Sequence, residues 1–123
     1  MTTQDEYFLR EAIALAKRGM EANEGGPFGA LVVRDGQIIG RGNNRETSTN
    51  DPTAPAEVVA IRAACAALNS IQLTAAIDFD DDFIYREIPL PAEERSIPTE
   101  QALREEGRVV FRAWRDKTDR QDY

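Results

Sequence analysis

A chain of 123 residues is long enough for one domain with a core of its own. Its 22 acidic against 15 basic side chains give a net charge of -7, which argues against nucleic acid or an anionic membrane as partner, because phosphates need a basic face. With no histidine and a single cysteine, Cys65, the chain alone can build neither a disulfide, nor the usual zinc ligand sets, nor a Ser-His or Cys-His nucleophile pair.

Carboxylates are the acid/base groups that remain. No apolar run approaches the length of a membrane span and no basic, signal-like start is present, so the cytoplasm is the expected compartment.

From Asp5 to about Ala22, Phe8, Leu9, Ala12, Ile13, Ala16 and Met20 recur at three- and four-residue steps, the spacing of one helical face. Glu24-Gly25-Gly26-Pro27 is the expected stop, since two glycines and a proline continue a helix only at a cost. Phe28 to Val33 and Gln37 to Gly40 are apolar or β-branched runs around Arg34-Asp35-Gly36, which predicts an antiparallel hairpin. The second strand empties into Arg41-Gly42-Asn43-Asn44-Arg45, whose amides offer paired donors and acceptors.

A polar run from Thr47 to Thr53 leads into a second helix, expected from Ala54 or Pro55 to Leu68, with proline tolerated in the first turn and the carboxylate Glu57 close behind it. Asn69 to Ala76 carries a weak pattern. Asp78-Phe79-Asp80-Asp81-Asp82-Phe83-Ile84-Tyr85 is acidic and aromatic, and Pro89, Pro91 and Pro98 punctuate a loop-rich passage. A final helix is expected from about Pro98 to Lys117, with Leu103, Val110, Phe111 and Trp114 apolar and Gly107 a break. The acidic run fails the calcium-loop pattern, because Phe83 stands at its glycine position and Pro89 at its bidentate glutamate. Two strands make a marginal sheet, so the chain is expected to complete its core with a second copy of itself or with another protein.

Gly25-Gly26-Pro27-Phe28-Gly29-Ala30-Leu31-Val32-Val33, the Gly42-Asn43-Asn44 loop, and Ser48-Thr49-Asn50-Asp51-Pro52-Thr53-Ala54 followed by Ala56-Glu57-Val58 together resemble the bacterial guanine deaminases of the cytidine-deaminase-like superfamily. Phe79 to Tyr85, Pro91 to Pro98 and Phe111-Arg112-Ala113-Trp114 are similar to that family's C-terminal region, so nearly the whole chain is covered. The resemblance implies an α/β fold, a mixed sheet with helices on its faces, in one domain over residues 1–123. It also implies that residues 78–123 form a segment that can be exchanged between subunits. The implied reaction is hydrolytic loss of an exocyclic amine from guanine. Glu57 matches the proton-shuttling glutamate, Asn44 the asparagine that grips the purine and Phe28 the aromatic wall, while Tyr85 and Trp114 take ligand-facing roles in the exchanged segment.

Two departures bear on mechanism. Pro55 occupies the position of the family's zinc-binding histidine, and the Pro-Cys-x-x-Cys motif that supplies the other two ligands is absent, with only a few residues between Leu73 and Phe79 in place of a strand, a cysteine-bearing helix and a further strand. Cys65 matches a position outside the metal set. The expected fold is therefore a truncated one, helix, hairpin, helix and a mostly helical C-terminal region, with no metal and no cofactor. Zinc lowers the pKa of its bound water from about 15.7 to about 7, which is worth on the order of 12 kcal/mol. A lone general acid or base contributes about 10²- to 10⁴-fold and does not replace it.

Each candidate also has a plainer reading. Glu57 is a carboxylate at a helix N-terminus, an arrangement worth about 0.3–1 kcal/mol; Asn44 is a turn residue bonding its own loop; Phe28, Tyr85 and Trp114 are core. Three functions stay open. One is a pseudo-deaminase with a binding, regulatory or partner role, paired with itself or with an intact deaminase subunit and holding a purine-like small molecule. Another is a zinc-independent enzyme with Glu57 as acid/base and Asn44 orienting the substrate. The third is an internally deleted remnant with no independent function.

Overall fold

In a computed structural model of the chain, residues 2–68, 89–94 and 100–120 are described. The first helix, α1, runs Thr3–Glu21. It starts two residues before the apolar periodicity because Thr2 caps it: the Thr2 hydroxyl accepts from the Asp5 amide at 3.0 Å, and the Asp5 carboxylate accepts from the Thr2 amide at 3.1 Å. It ends before the glycines, at Asn23, which adopts φ 55° and turns the chain in the left-handed region that asparagine tolerates. Gly25 and Gly26 are thus not the helix stop. Gly25 is needed for space, since a Cβ there would lie 2.2 Å from the backbone oxygen of Asn44.

Strands β1, Gly29–Arg34, and β2, Gln37–Asn43, form the expected antiparallel hairpin. Asp35 and Gly36 both take positive φ, 52° and 75°, the two-residue turn whose twist matches that of the strands. β2 extends three residues past Gly40, into the stretch expected to be loop, because Gly42 and Asn43 pair with Ala30 and Gly29. A short helix, α2, spans Glu46–Thr49 inside the polar run where no helix was expected, and it closes at Asn50 with φ 52°.

Helix α3 runs Ala56–Leu68 and lies on the face of the hairpin that carries Gly40 and Gly42. Its buried residues are Ala56, Ala60 and Ala64. Alanine on one surface and glycine on the other let the two backbones come together: a Cβ on Gly42 would meet the Ala56 carbonyl oxygen at 2.3 Å, and one on Gly40 would meet that of Ala60 at 2.3 Å. Helix α1 packs on the opposite face, where a Cβ on Gly29 would meet the Ala12 carbonyl oxygen at 2.1 Å. The arrangement is a helix, a sheet and a helix in three layers, the α/β architecture expected from the sequence.

After a 3₁₀ turn at Ala92–Glu94, the last helix, α4, runs Arg104–Asp116. Leu103, with φ 55°, precedes it, so it begins later than Pro98. Gly107 does not break it. Val110 and Trp114 pack with Ala16 and Met20 of α1, and Ile13 lies against the cluster. Arg10 closes the same contact at the surface with a two-pronged pair to Glu106, at 3.1 Å from Nε and 3.1 Å from Nη2. The acidic-aromatic run from Asp78 to Tyr85 and the expected helix start at Pro98 lie outside the described residues. Among the described residues no helix is long and apolar enough to cross a membrane.

Candidate functional site

The polar centre of the molecule is the exit of β2. Asn43 and Asn44 are buried, Asn44 to 2 % exposure, in a fold whose other buried residues are mostly small and apolar. Buried amides need partners. Asn44 Oδ1 accepts from the amides of Gly26, at 3.4 Å, and Glu46, at 3.2 Å, while its Nδ2 donates to Glu46 Oε1 at 3.3 Å. Asn43 Nδ2 donates to Glu24 Oε2 at 2.9 Å, and Arg45 Nε lies 3.7 Å from that same carboxylate oxygen. Glu24 therefore ties the end of α1 to the loop, and Glu46 holds the Asn44 side chain in one orientation.

This loop joins two of the other candidates through the backbone. The Asn44 amide donates to the Phe28 carbonyl at 3.1 Å, and the Arg45 amide donates to the Ala54 carbonyl at 3.0 Å, three residues ahead of Glu57. Gly42 lies against Ala56 and Ala60, so the end of β2 and the first turns of α3 share one contact. Phe28, Asn44 and the start of α3 thus belong to one hydrogen-bonded unit. Glu57 is exposed in the first turn of α3, and its side chain makes no hydrogen bond among the described residues. Pro55 precedes it and gives its carbonyl to the Val59 amide at 3.0 Å, the first bond of the helix.

The loop ahead of α3 is stiffened from both sides. Asp51 Oδ1 accepts from the Thr53 amide at 2.8 Å and the Thr53 hydroxyl at 2.6 Å, and Arg62 of α3 donates to that hydroxyl at 3.2 Å. The Thr53 hydroxyl, and then its amide, hold the Asp51 carboxyl below the usual carboxylate range. Thr47 Oγ1 is buried without a hydrogen-bond partner among the described residues.

The aromatic candidates divide. Phe28 is 39 % exposed and meets Phe111 edge-on at 6.5 Å, and Phe111 meets Trp114 at 5.5 Å. Trp114 itself is a core residue, 9 % exposed, with the Arg120 guanidinium 5.2 Å from its ring. Tyr85 lies outside the described residues. The reading from sequence passed over Glu24, Asn43 and Glu46, which position the loop. Their signal was present as an Asn-x-Glu turn and as a carboxylate just beyond a helix end, but many solvated turns look the same.

As for a metal, no three histidine, cysteine, aspartate or glutamate side chains come together to hold one among the described residues. Cys65 follows Glu57 by eight positions on α3. At 1.5 Å per residue that is about 12 Å, too far for both to reach one ion.

Residues 2–87 match the family described as the cytidine and deoxycytidylate deaminase zinc-binding region. The guanine deaminase of Bacillus subtilis (strain 168) is 40% identical over 153 aligned positions, covering 96% of this chain and 98% of the relative. Those 153 positions exceed the 123 residues of this chain, so at least 30 positions of the relative, inside the matched span, have no counterpart here. The tRNA-specific adenosine deaminase of Aquifex aeolicus (strain VF5) is 46% identical over 65 residues, which is 53% of this chain and 42% of the relative. Among solved structures, the X-ray structure of guanine deaminase from Bacillus subtilis aligns with a TM-score of 0.55 and 39% identity over 100% of this chain and 99% of that one. A structure from work on tRNA:A34 deaminases aligns with a TM-score of 0.52 and 36% identity over 56% of this chain and 52% of the other.

Proposed function

The chain belongs to the cytidine and deoxycytidylate deaminase family, and from that premise we propose that it is a non-hydrolytic member, a pseudo-deaminase that binds a purine-like small molecule. The observation that carries this reading is at the start of α3: Glu57 is in place in the first turn, but no imidazole exists in the chain and its one thiol is on another part of the helix. Glu57 is there as a base without a metal-activated water from which to take a proton. A purine-like ligand is favoured because the relative that matches across nearly the whole chain is a guanine deaminase. In this proposal the ligand lies against the loop that joins Phe28 and the start of α3, with the buried Asn44 bracing that loop.

The working unit in this proposal is a homodimer or a pair with an intact deaminase subunit, in which the chain has a regulatory or partner role. The sheet among the described residues has two strands and relies on the helices packed on its faces for its stability, which favours a partner in this proposal. The contact of α4 with α1 is a surface that an exchanged C-terminal segment, residues 78–123, can use in a partner just as it does within one chain.

The test uses the single tryptophan, Trp114, linked to Phe28 through the ring of Phe111. Guanine, adenine and cytosine are titrated against the protein by fluorescence, with ammonia release measured in the same samples. Saturable purine binding without ammonia supports the proposal. Ammonia release that disappears in Glu57→Gln replaces it with the zinc-independent enzyme, and a chain that ignores every base and sediments as a monomer overturns it.

A further inference from the structure

We infer that the zinc-binding region which this chain matches has, in this chain, become a closed helix start that holds no zinc and needs none for folding. The match covers residues 2–87 and is named for zinc, so the disagreement is with the family's own defining chemistry. The inference deepens the proposed function and rests on the same family reading, but it makes no use of any ligand.

The donor atoms come first. Protein zinc sites are built from thiolates and imidazoles, with carboxylates as additions. Over the whole sequence this chain offers no imidazole and one thiol. Carboxylates are plentiful, but a set made of oxygen donors alone is the chemistry of magnesium and calcium and does not hold zinc selectively. The thiol, Cys65, is on the third turn of α3, about 12 Å along the axis from Glu57. No arrangement of this helix brings both to one ion.

The local structure comes second. Where a metal ligand would have to point a lone pair out of the start of α3, the chain has closed on itself. Ala54 is 5 % exposed and its carbonyl is taken by the Arg45 amide. Pro55 has no side-chain donor, and its carbonyl begins the helix by accepting from Val59 at 3.0 Å. Ala56 is 2 % exposed, pressed against Gly42. The three residues before Glu57 are thus bonded and packed by the protein itself, which does the work of fixing this helix start without an ion. The internal shortfall of at least 30 positions against the guanine deaminase relative removes further chain in which donors could have been carried.

The experiment is metal analysis of the full chain, purified from zinc-supplemented cells, with its melting temperature measured alone, with zinc chloride and with EDTA. The expected result is zinc far below one ion per chain and a melting temperature that neither zinc nor EDTA moves. One zinc per chain surviving gel filtration, or a melting temperature that falls with EDTA, overturns the inference. A second variant keeps the test sharp. Pro55→His returns one imidazole to the helix start, and because the one thiol is about 12 Å along the helix and the described residues bring no three metal-ligating side chains together, it is expected to take up no zinc. Stoichiometric zinc in that variant would mean that the rest of the set is intact and would overturn the inference as well. A zinc-free chain that ignores purines leaves this inference standing and removes only the proposed ligand, whereas a zinc-bound chain that releases ammonia removes both.

Discussion

Replacing Gly42 with alanine tests whether the site is set by backbone contact between β2 and α3. The added Cβ would sit 2.3 Å from the Ala56 carbonyl oxygen, 2.5 Å from the Ala60 amide nitrogen and 3.0 Å from Val59 Cβ, where ordinary contact begins near 3.4 Å. The first two are backbone atoms inside a helix and cannot swing aside, so α3 must retreat by about 1 Å, and a gap of that size forfeits a quarter to a half of each dispersion contact along it. Overpacking of this kind costs about 1–3 kcal/mol. With a urea slope of about 1–3 kcal/mol per molar, the unfolding midpoint falls by about 1 M. Gly107→Ala is the matched control. Nothing lies within 4 Å of a Cβ there, and the position is inside α4, so the same chemical change removes only the backbone-entropy cost of glycine. It should stabilise by about 0.5–1 kcal/mol. The assay is equilibrium urea unfolding followed by the fluorescence of Trp114. The reasoning fails if the two variants shift the midpoint in the same direction, or if Gly42→Ala leaves it unmoved.

Asn44→Ala strips the acceptor from the buried amide of Gly26 and the half-buried amide of Glu46, and should cost about 1–3 kcal/mol, read as a lowered urea midpoint. Trp114→Ala empties the centre of the α1–α4 cluster and should cost about 3–5 kcal/mol, followed by circular dichroism because the fluorophore is gone. The carboxyls of Asp5, bonded by the amide and hydroxyl of Thr2, and of Asp51, bonded by Thr53, titrate below the ordinary aspartate value. Their contribution is therefore complete above about pH 4 and is lost as the pH falls further, through their folded values. Asp51→Asn should flatten that acid limb in a plot of stability against pH, and an unchanged limb would show that the Thr53 contacts are absent in solution.

The elements that were legible in the sequence are those whose cause is local. The spacing of Phe8, Ala12, Ile13, Ala16 and Met20 places α1, and Asp35-Gly36 places the hairpin turn, because each depends on neighbours a few positions away. What was not legible depends on distant backbone. Gly25 and Gly42 read as a helix stop and a loop residue, and Gly29 and Gly40 as strand positions, yet each is a place where another element comes too close for a Cβ. The stop of α1 was assigned to the glycines when Asn23 makes it, since both residue types tolerate positive φ and only the structure shows which one takes it. The same limit applies to the site. Asn44 and Glu57 could be named from a family pattern, but Glu46, which fixes the orientation of the Asn44 amide, and Glu24, which anchors Asn43, act across turns that no short motif marks.

On the proposed reading, these packing contacts are what would fix a deaminase-family helix start in the absence of a metal. In a site held together by an ion, loss of the ligands leaves the loop before the helix and the first turn with nothing to fix them. Here the Arg45 amide binds Ala54, Thr53 caps Asp51 with Arg62 behind it, and Gly42 seats Ala56 directly on the sheet. Each of these contacts is made by the protein to itself, so alanine and glycine packing, backbone hydrogen bonds and the side-chain bonds of Glu24, Glu46 and Asp51 together set the positions of Glu57 and of the Asn44 loop. Gly42, seated against Ala56 directly before Glu57 and two residues before Asn44, is then the residue that couples the helix start to the loop.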